Sequence, residues 1–193
     1  MKYLSMSDQQ LIQEYLNGSE VAFKVLIERH QAKIFTTIRM FVKDQNQADD
    51  IFQEVFIKVI NTLRKGKYNH EGKFCQWASR IAYNLCVDSF RKKKRRPTVQ
   101  PTEEFDIFDV LGSPDDNIEE ATIKSQTYDK VRKLVDQLPP EQREVVILRH
   151  YADMSFKEIA SLTRVSINTA LGRMRYALIN IRKMVEEKEV ALY

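Results

Sequence analysis

The chain has 193 residues, 43% of them hydrophobic, and its 31 Lys and Arg against 27 Asp and Glu leave a net charge of +4, which gives room for one large or two small domains with a buried core. No apolar run approaches the roughly 18 residues of a membrane span, and the N-terminus lacks the basic-then-apolar layout of a secretory signal, so the chain is expected in the cytoplasm without membrane insertion. Only five Gly and five Pro, with few Val/Thr alternations, argue against a β-rich fold and for helices throughout.

The charge is unevenly divided. Residues 1–96 hold 18 basic and 10 acidic side chains, residues 97–125 hold 1 and 8, and residues 126–193 hold 12 and 9. Two basic lobes thus flank an acidic connector, an asymmetry that favours polyanion binding at both ends without conferring sequence specificity.

In chain order, Ser7 with Gln10 forms a capping box, in which each side chain satisfies a free backbone N–H at a helix start. Leu11, Ile12, Tyr15 and Leu16 give that helix an apolar face, and Asn17-Gly18 ends it before Ser19 caps a second helix running to about Val42. His30 falls on the second helix's apolar stripe with Phe23, Leu26, Ile27, Ile34 and Ile38, the pattern of a packed core histidine. Asp44, with Gln47 three residues on, opens a third helix in which Ala48, Ile51, Phe52, Val55, Phe56, Val59, Ile60 and Leu63 recur at three- and four-residue steps. Its other face carries Asp49, Asp50, Gln53 and Glu54. These carboxylates either stay in water near the positive end of the helix dipole or form a docking surface for a basic protein partner.

A polar loop, RKGKYNHEGK, leads into a long helix, FCQWASRIAYNLCVDSFRKKKRR. Phe74, Trp77, Ala78, Ile81 and Leu85 form its core stripe, with Asn84 and Asp88 at the edge and Arg80, Tyr83 and Arg91 pointing away. The helix closes on six consecutive cations, Arg91, Lys92, Lys93, Lys94, Arg95 and Arg96. Such a run is either a solvated tail or a set of phosphate contacts. Together with the loop side chains Lys67, Tyr68, Asn69, His70 and Lys73, it fits stacking on and neutralising a single or opened strand better than reading an intact groove.

Cys75 and Cys86 are eleven residues apart in this helical pattern, which separates them by about 16 Å along the axis. They cannot bridge each other and read as reduced thiols. His30, His70 and His150 are too dispersed to form a zinc site with them, and no cofactor is expected.

Pro97 and Pro101 break the helix, and residues 97–125 read as a flexible acidic linker. Helical pattern resumes near Ile118 and continues through Leu134, Val135 and Leu138 to EQREVVILRHYADM, with Pro140 suited to a first helical turn. Ser155 and Glu158 make a second capping box, Thr163-Arg164-Val165 a short connection, and Ser166 a new helix start. In that last helix Ile167, Ala170, Leu171, Met174, Ala177, Leu178 and Ile181 are expected on a buried face. Ser166, Asn168, Thr169, Gly172, Arg173, Arg175 and Tyr176 lie at its start or on the other side. This is either an ordinary helical hairpin or a helix-turn-helix whose second helix meets base edges in a major groove. A positive φ at Arg164, where such turns often carry Gly, would cost roughly 1 kcal/mol.

These pieces together resemble the extracytoplasmic-function class of bacterial sigma factors, the promoter-recognition subunits of RNA polymerase. ADDIFQEVFIKV is similar to that family's core-polymerase helix, FCQWASRIAYNLCVDSFRKKKRR to its promoter-opening helix, and LPPEQREVVILRHYADMSFKEIA with the following helix to its C-terminal reader. The resemblance implies an all-α fold of two small helical domains, residues 1–96 and 126–193, joined by the linker. It implies that Asp50, Gln53 and Glu54 meet a basic coiled coil of core polymerase, with Asp49 beside them. The loop and helix carrying Lys67, Tyr68, Asn69, His70, Lys73, Arg80, Tyr83 and Arg91 would bind the minus-ten element and capture a flipped base. Lys92 to Arg96 would neutralise phosphates, and the C-terminal helix would read the minus-thirty-five element. At Leu171, Gly172 and Tyr176 the chain departs from the basic or small hydroxyl side chains common in the family. The expected partners are core polymerase, promoter DNA and an anti-sigma factor. Nothing in the sequence carries a Gly-rich phosphate loop, a paired catalytic carboxylate motif or metal spacing, so no enzymatic activity is expected. The rivals are an autonomous helix-turn-helix regulator and, more remotely, an RNA-binding helical protein.

Overall fold

The computed structural model describes residues 2–69, 71–95 and 130–187, and among them there is no strand. The chain divides into two compact units, Met1–Glu103 and Glu104–Tyr193. His70, Arg96, the whole expected linker and the helical pattern near Ile118 lie outside the described residues.

The first unit contains α1 (Asp8–Leu16), α2 (Glu20–Phe41), α3 (Gln45–Arg64) and α4 (Phe74–Arg95). Each of the first three starts on the side chain that the sequence places there. Ser7 accepts from the Gln10 N–H while its own N–H donates to Gln10 Oε1, Ser19 accepts from Ala22, and Asp44 accepts from Gln47 at 2.7 Å. Such caps are worth about 1 kcal/mol each, because they satisfy donors that no intrahelical carbonyl can reach. Gly18, at φ 102°, makes the turn between α1 and α2 that a side chain would strain.

Helix α2 is the spine of this unit, packed by α1, α3 and α4. The core is continuous through Leu11, Leu26, Ile34, Ile38, Val55, Val59, Leu63, Phe74 and Ala78. Helix α4 is covered from two sides, by α2 and by α3, so its buried surface is wider than the expected stripe. Cys75, Ser79, Ala82, Tyr83 and Cys86 join the core, while Trp77 and Ile81 are only partly buried. Both cysteines are buried and neither is in a disulfide, and burial pushes the Cys86 thiol up to about 12, so it stays protonated and unreactive at neutral pH.

The second unit contains α5 (residues 130–136), α6 (Pro140–His150), α7 (Phe156–Thr163) and α8 (Ile167–Glu187). Pro140 occupies the first turn of α6, where its missing N–H costs nothing. Four consecutive residues of α6, from Val145 to Leu148, are buried because α7 and α8 both pack on it.

The capping box of α7 is complete, with the Ser155 N–H donating to Glu158 Oε2 at 2.8 Å and the Glu158 N–H donating to Ser155 Oγ at 3.3 Å. Arg164 then turns the chain at φ 58° and ψ 42°, the left-handed region the turn requires. Its Cβ makes that conformation cost roughly 1 kcal/mol relative to Gly.

Helix α8 differs from expectation. Ala170, Met174 and Ala177 are buried, but Leu171 and Leu178 are 43% and 53% exposed and Ile167 is also open. Helices α6 and α7 both pack on α8, and together they cover only the side carrying Ala170, Met174 and Ala177.

Candidate nucleic-acid and partner interfaces

On α3 the side opposite the core presents Asp50, Gln53 and Glu54, all exposed, with Asp49 half-buried beside them. Asp49 accepts weakly from Gln45 Nε2 at 3.4 Å, and Glu54 pairs with Lys58 at 3.3 Å one turn on. Ile57, 57% exposed, extends the same face by the i, i+3, i+4, i+7 rule. Charge alone does not pick out this isoleucine, although its helical spacing from Asp50 is present in the sequence.

The loop before α4 is built on an aromatic cluster. Tyr68 packs on Trp77 at 4.4 Å between ring centroids and edge-on to Phe74 at 6.1 Å, and Phe74 lies 5.7 Å from Trp77. Burial, then the nearby carboxylates of Asp8 and Glu71, pushes the Tyr68 phenol up to about 12, so it remains a neutral donor. Lys67, Asn69 and Lys73 are exposed around this cluster, as are Arg80, Arg91, Lys92, Lys93, Lys94 and Arg95 along α4. Asp88 pairs with Arg91 at 3.5 Å, and Asn84 is exposed.

Tyr83 does not join this surface. It is only 7% exposed and meets Phe41 edge-on at 5.5 Å, because α2 covers the side of α4 from which it projects. Its expected contact with DNA is therefore corrected to a core contact. His30 is also displaced from the core position expected for it. It sits half-buried at the rim, with Nε2 2.8 Å from Asp8 Oδ2 and its ring 5.3 Å from Phe74.

At the start of α8, Ser166 Oγ accepts from the Thr169 N–H at 3.0 Å and lies 2.8 Å from the Thr169 hydroxyl. Both hydroxyls are thus engaged in capping, with Asn168 exposed beside them. Gly172 is half-buried with open space where a Cβ would stand, and Arg175 and Tyr176 are exposed. Arg173 behaves differently from the other expected readers. It is 25% exposed and lies 3.8 Å from Glu144 of α6, which ties α8 to the rest of the unit. Arg173→Ala is therefore expected to lower the stability of this unit by about 1 kcal/mol. Thermal unfolding of the variant checks this, and an unchanged midpoint would remove the anchoring role of the pair with Glu144.

An apolar groove lies along α8, lined by Phe156, Leu171, Met174, Leu178 and Ile179 with Arg175 and Arg182. Among the described residues, no cluster of His, Cys, Asp and Glu is suited to a metal, and no helix is long and apolar enough to cross a membrane.

Residues 26–96 match the family Sigma-70 region 2, and residues 128–175 match Sigma-70, region 4. The chain belongs to the extracytoplasmic-function sigma factors. The RNA polymerase sigma-H factor of Pseudomonas aeruginosa is 29% identical to it over 184 residues, covering 93% of this chain and 94% of the relative. The ECF RNA polymerase sigma factor SigW of Bacillus subtilis is 24% identical, covering 95% of this chain and all of the relative.

Two solved structures share the fold. CnrH, in complex with the cytosolic domain of CnrY, superposes with a TM-score of 0.62 at 20% identity, covering 94% of this chain and 99% of that one. The sigma factor RpoE of Bartonella quintana, in complex with the anti-sigma factor NepR, gives 0.63 at 15% identity, covering 85% of this chain and 96% of that one. This sigma factor thus serves transcription initiation with RNA polymerase at promoters. Its region 2 match begins within α2, so α1 lies outside it.

Proposed function

We propose that this sigma factor docks on core polymerase through Asp49, Asp50, Gln53 and Glu54 of α3. On this reading residues 1–96 open the minus-ten element, residues 97–125 link the lobes, and residues 126–193 read the minus-thirty-five element. The single observation that carries the docking assignment is the exposed carboxylate face of α3 in a lobe with 18 basic and 10 acidic side chains. Acidic side chains repel phosphate, so that face suits a basic protein surface and leaves the cationic end of α4 for the DNA.

Within the promoter, Lys67, Tyr68, Asn69, His70, Lys73, Arg80 and Arg91 are assigned to the minus-ten strand, and Lys92, Lys93, Lys94, Arg95 and Arg96 to phosphates. The aromatic cluster of Tyr68, Phe74 and Trp77 supports this, because a rigid apolar floor beside exposed cations suits an unstacked base. Ser166, Asn168, Thr169, Gly172, Arg175 and Tyr176 form the candidate groove surface of α8, with Arg173 acting there while anchored to Glu144.

The protein works in the cytoplasm and carries no catalytic chemistry of its own on this reading. Both solved neighbours are held by a partner, in one case an anti-sigma factor. An anti-sigma partner for this chain would find on α8 an apolar groove rimmed by Arg175 and Arg182, which suits an acidic amphipathic helix.

The test is core dependence. Promoter fragments are expected to shift in a gel, and to give run-off transcripts, only when the chain is combined with core polymerase. A tight complex between the chain alone and an intact operator would replace this reading with that of an autonomous regulator.

A further inference from the structure

Two side chains of α2 converge on one carboxylate of α1. Asp8, in its first turn, holds Arg29 Nη1 through Oδ1 at 2.6 Å and His30 Nε2 through Oδ2 at 2.8 Å. Arg29 Nη2 also donates to the carbonyls of Met6 at 2.9 Å and Leu4 at 3.3 Å, so the segment leading into α1 is fastened to α2 as well. The carboxylate accepts only, which makes Nε2 the protonated ring nitrogen and fixes the orientation of the imidazole. That ring stands against Phe74, and Phe74 in turn touches Tyr68 and Trp77. The carboxylate of Asp8 also raises the Tyr68 phenol, which places the two within electrostatic reach.

We propose that Asp8, acting through His30 and Phe74, is a positioning residue for the base-capture site formed by Tyr68 of the loop and Trp77 of α4. The assignment rests on the reading of that loop as the minus-ten site. Asp8 and His30 are 20% and 15% exposed, so the contact is shielded from the solvent that would otherwise weaken it. Replacing Asp8 frees the imidazole to rotate, removes the backing of Phe74 and loosens the floor on which a flipped base would stack. Arg29 serves as the internal control, because it shares Asp8 but does not touch the aromatic cluster through the imidazole.

Trp77 is the sole tryptophan, so its emission in the full-length free protein reports on the cluster without any DNA. Asp8→Ala is expected to raise acrylamide quenching of Trp77, Asp8→Asn to restore much of the protection by keeping an acceptor for Nε2, and Arg29→Ala to leave quenching near wild type. In holoenzyme, at a promoter where the wild-type protein gives a run-off product, Asp8→Ala should lower permanganate-reactive open complex about tenfold. That is the equilibrium factor for losing one charge-assisted hydrogen bond. Affinity for core polymerase should stay unchanged.

Unchanged Trp77 quenching in Asp8→Ala would overturn the proposal, and so would an equal loss of protection in Arg29→Ala, which would mean general undocking of α1. Altered quenching with full promoter opening would overturn the loop's promoter role instead, since the loop would then be positioned by Asp8 but unused at the promoter.

Discussion

Exchanging Asp50 and Glu54 together for lysine is expected to abolish binding to core polymerase while leaving the helical content of the protein intact. Both side chains are exposed, and neither belongs to the core on the opposite face of α3. Within the chain the exchange breaks the ion pair between Glu54 and Lys58, whose side chains are both about half exposed, and such a pair contributes little to stability. At the proposed interface the reversal sets two cations against a basic partner. Like charges juxtaposed there cost several kcal/mol, which weakens affinity about a thousandfold or more. Fluorescence anisotropy of labelled protein titrated with core enzyme measures this, with circular dichroism as the check on folding. Wild-type affinity in the double variant would remove the docking role from α3.

The second large effect is expected at the end of α4. Lys92, Lys93, Lys94 and Arg95 fill its last turn, all exposed, where they also complement the negative end of the helix dipole. Each phosphate neutralised releases condensed counterions, so replacing the four by alanine should reduce the slope of log affinity against log salt by about 3. Holoenzyme affinity for promoter DNA between about 50 and 200 mM salt gives that slope. The weakening should be nearly uniform across promoter sequences, because phosphates carry no base identity. A slope equal to wild type would assign the phosphate contacts to other residues.

The local features of this fold are legible in the sequence, and the tertiary ones are not. Capping boxes at Ser7 and Ser155, the cap at Asp44, the turn at Gly18 and the positive φ at Arg164 each depend on a few neighbouring residues. The core face of α3 is equally clear, because one long run of three- and four-residue steps matches one buried side. Tyr83 departs from expectation because helical spacing says which residues share a side but not how many neighbours cover the helix. The same gap works in reverse on α8, where α6 and α7 cover one side and leave Leu171 and Leu178 in the open. Pairs such as Glu144 with Arg173, or Asp8 with His30, join residues far apart in sequence, and no periodicity connects them. The exposed acids and cations are readable as side-chain chemistry, while the aromatic floor beneath the loop requires the packing of Tyr68 on Trp77.

Gln47, just inside α3, donates through Nε2 to the hydroxyl of Ser89 on α4, and the two helices pack against each other along a common core. The helix proposed for the enzyme and the helix proposed for the template are therefore parts of one preformed body. On the proposed docking, α3 and α4 need not fold at the moment of contact, so the ordering entropy of these two helices is small and little of their apolar surface is newly withdrawn from water. The heat-capacity change of that step should accordingly be that of two rigid surfaces meeting, well below the value that accompanies coupled folding.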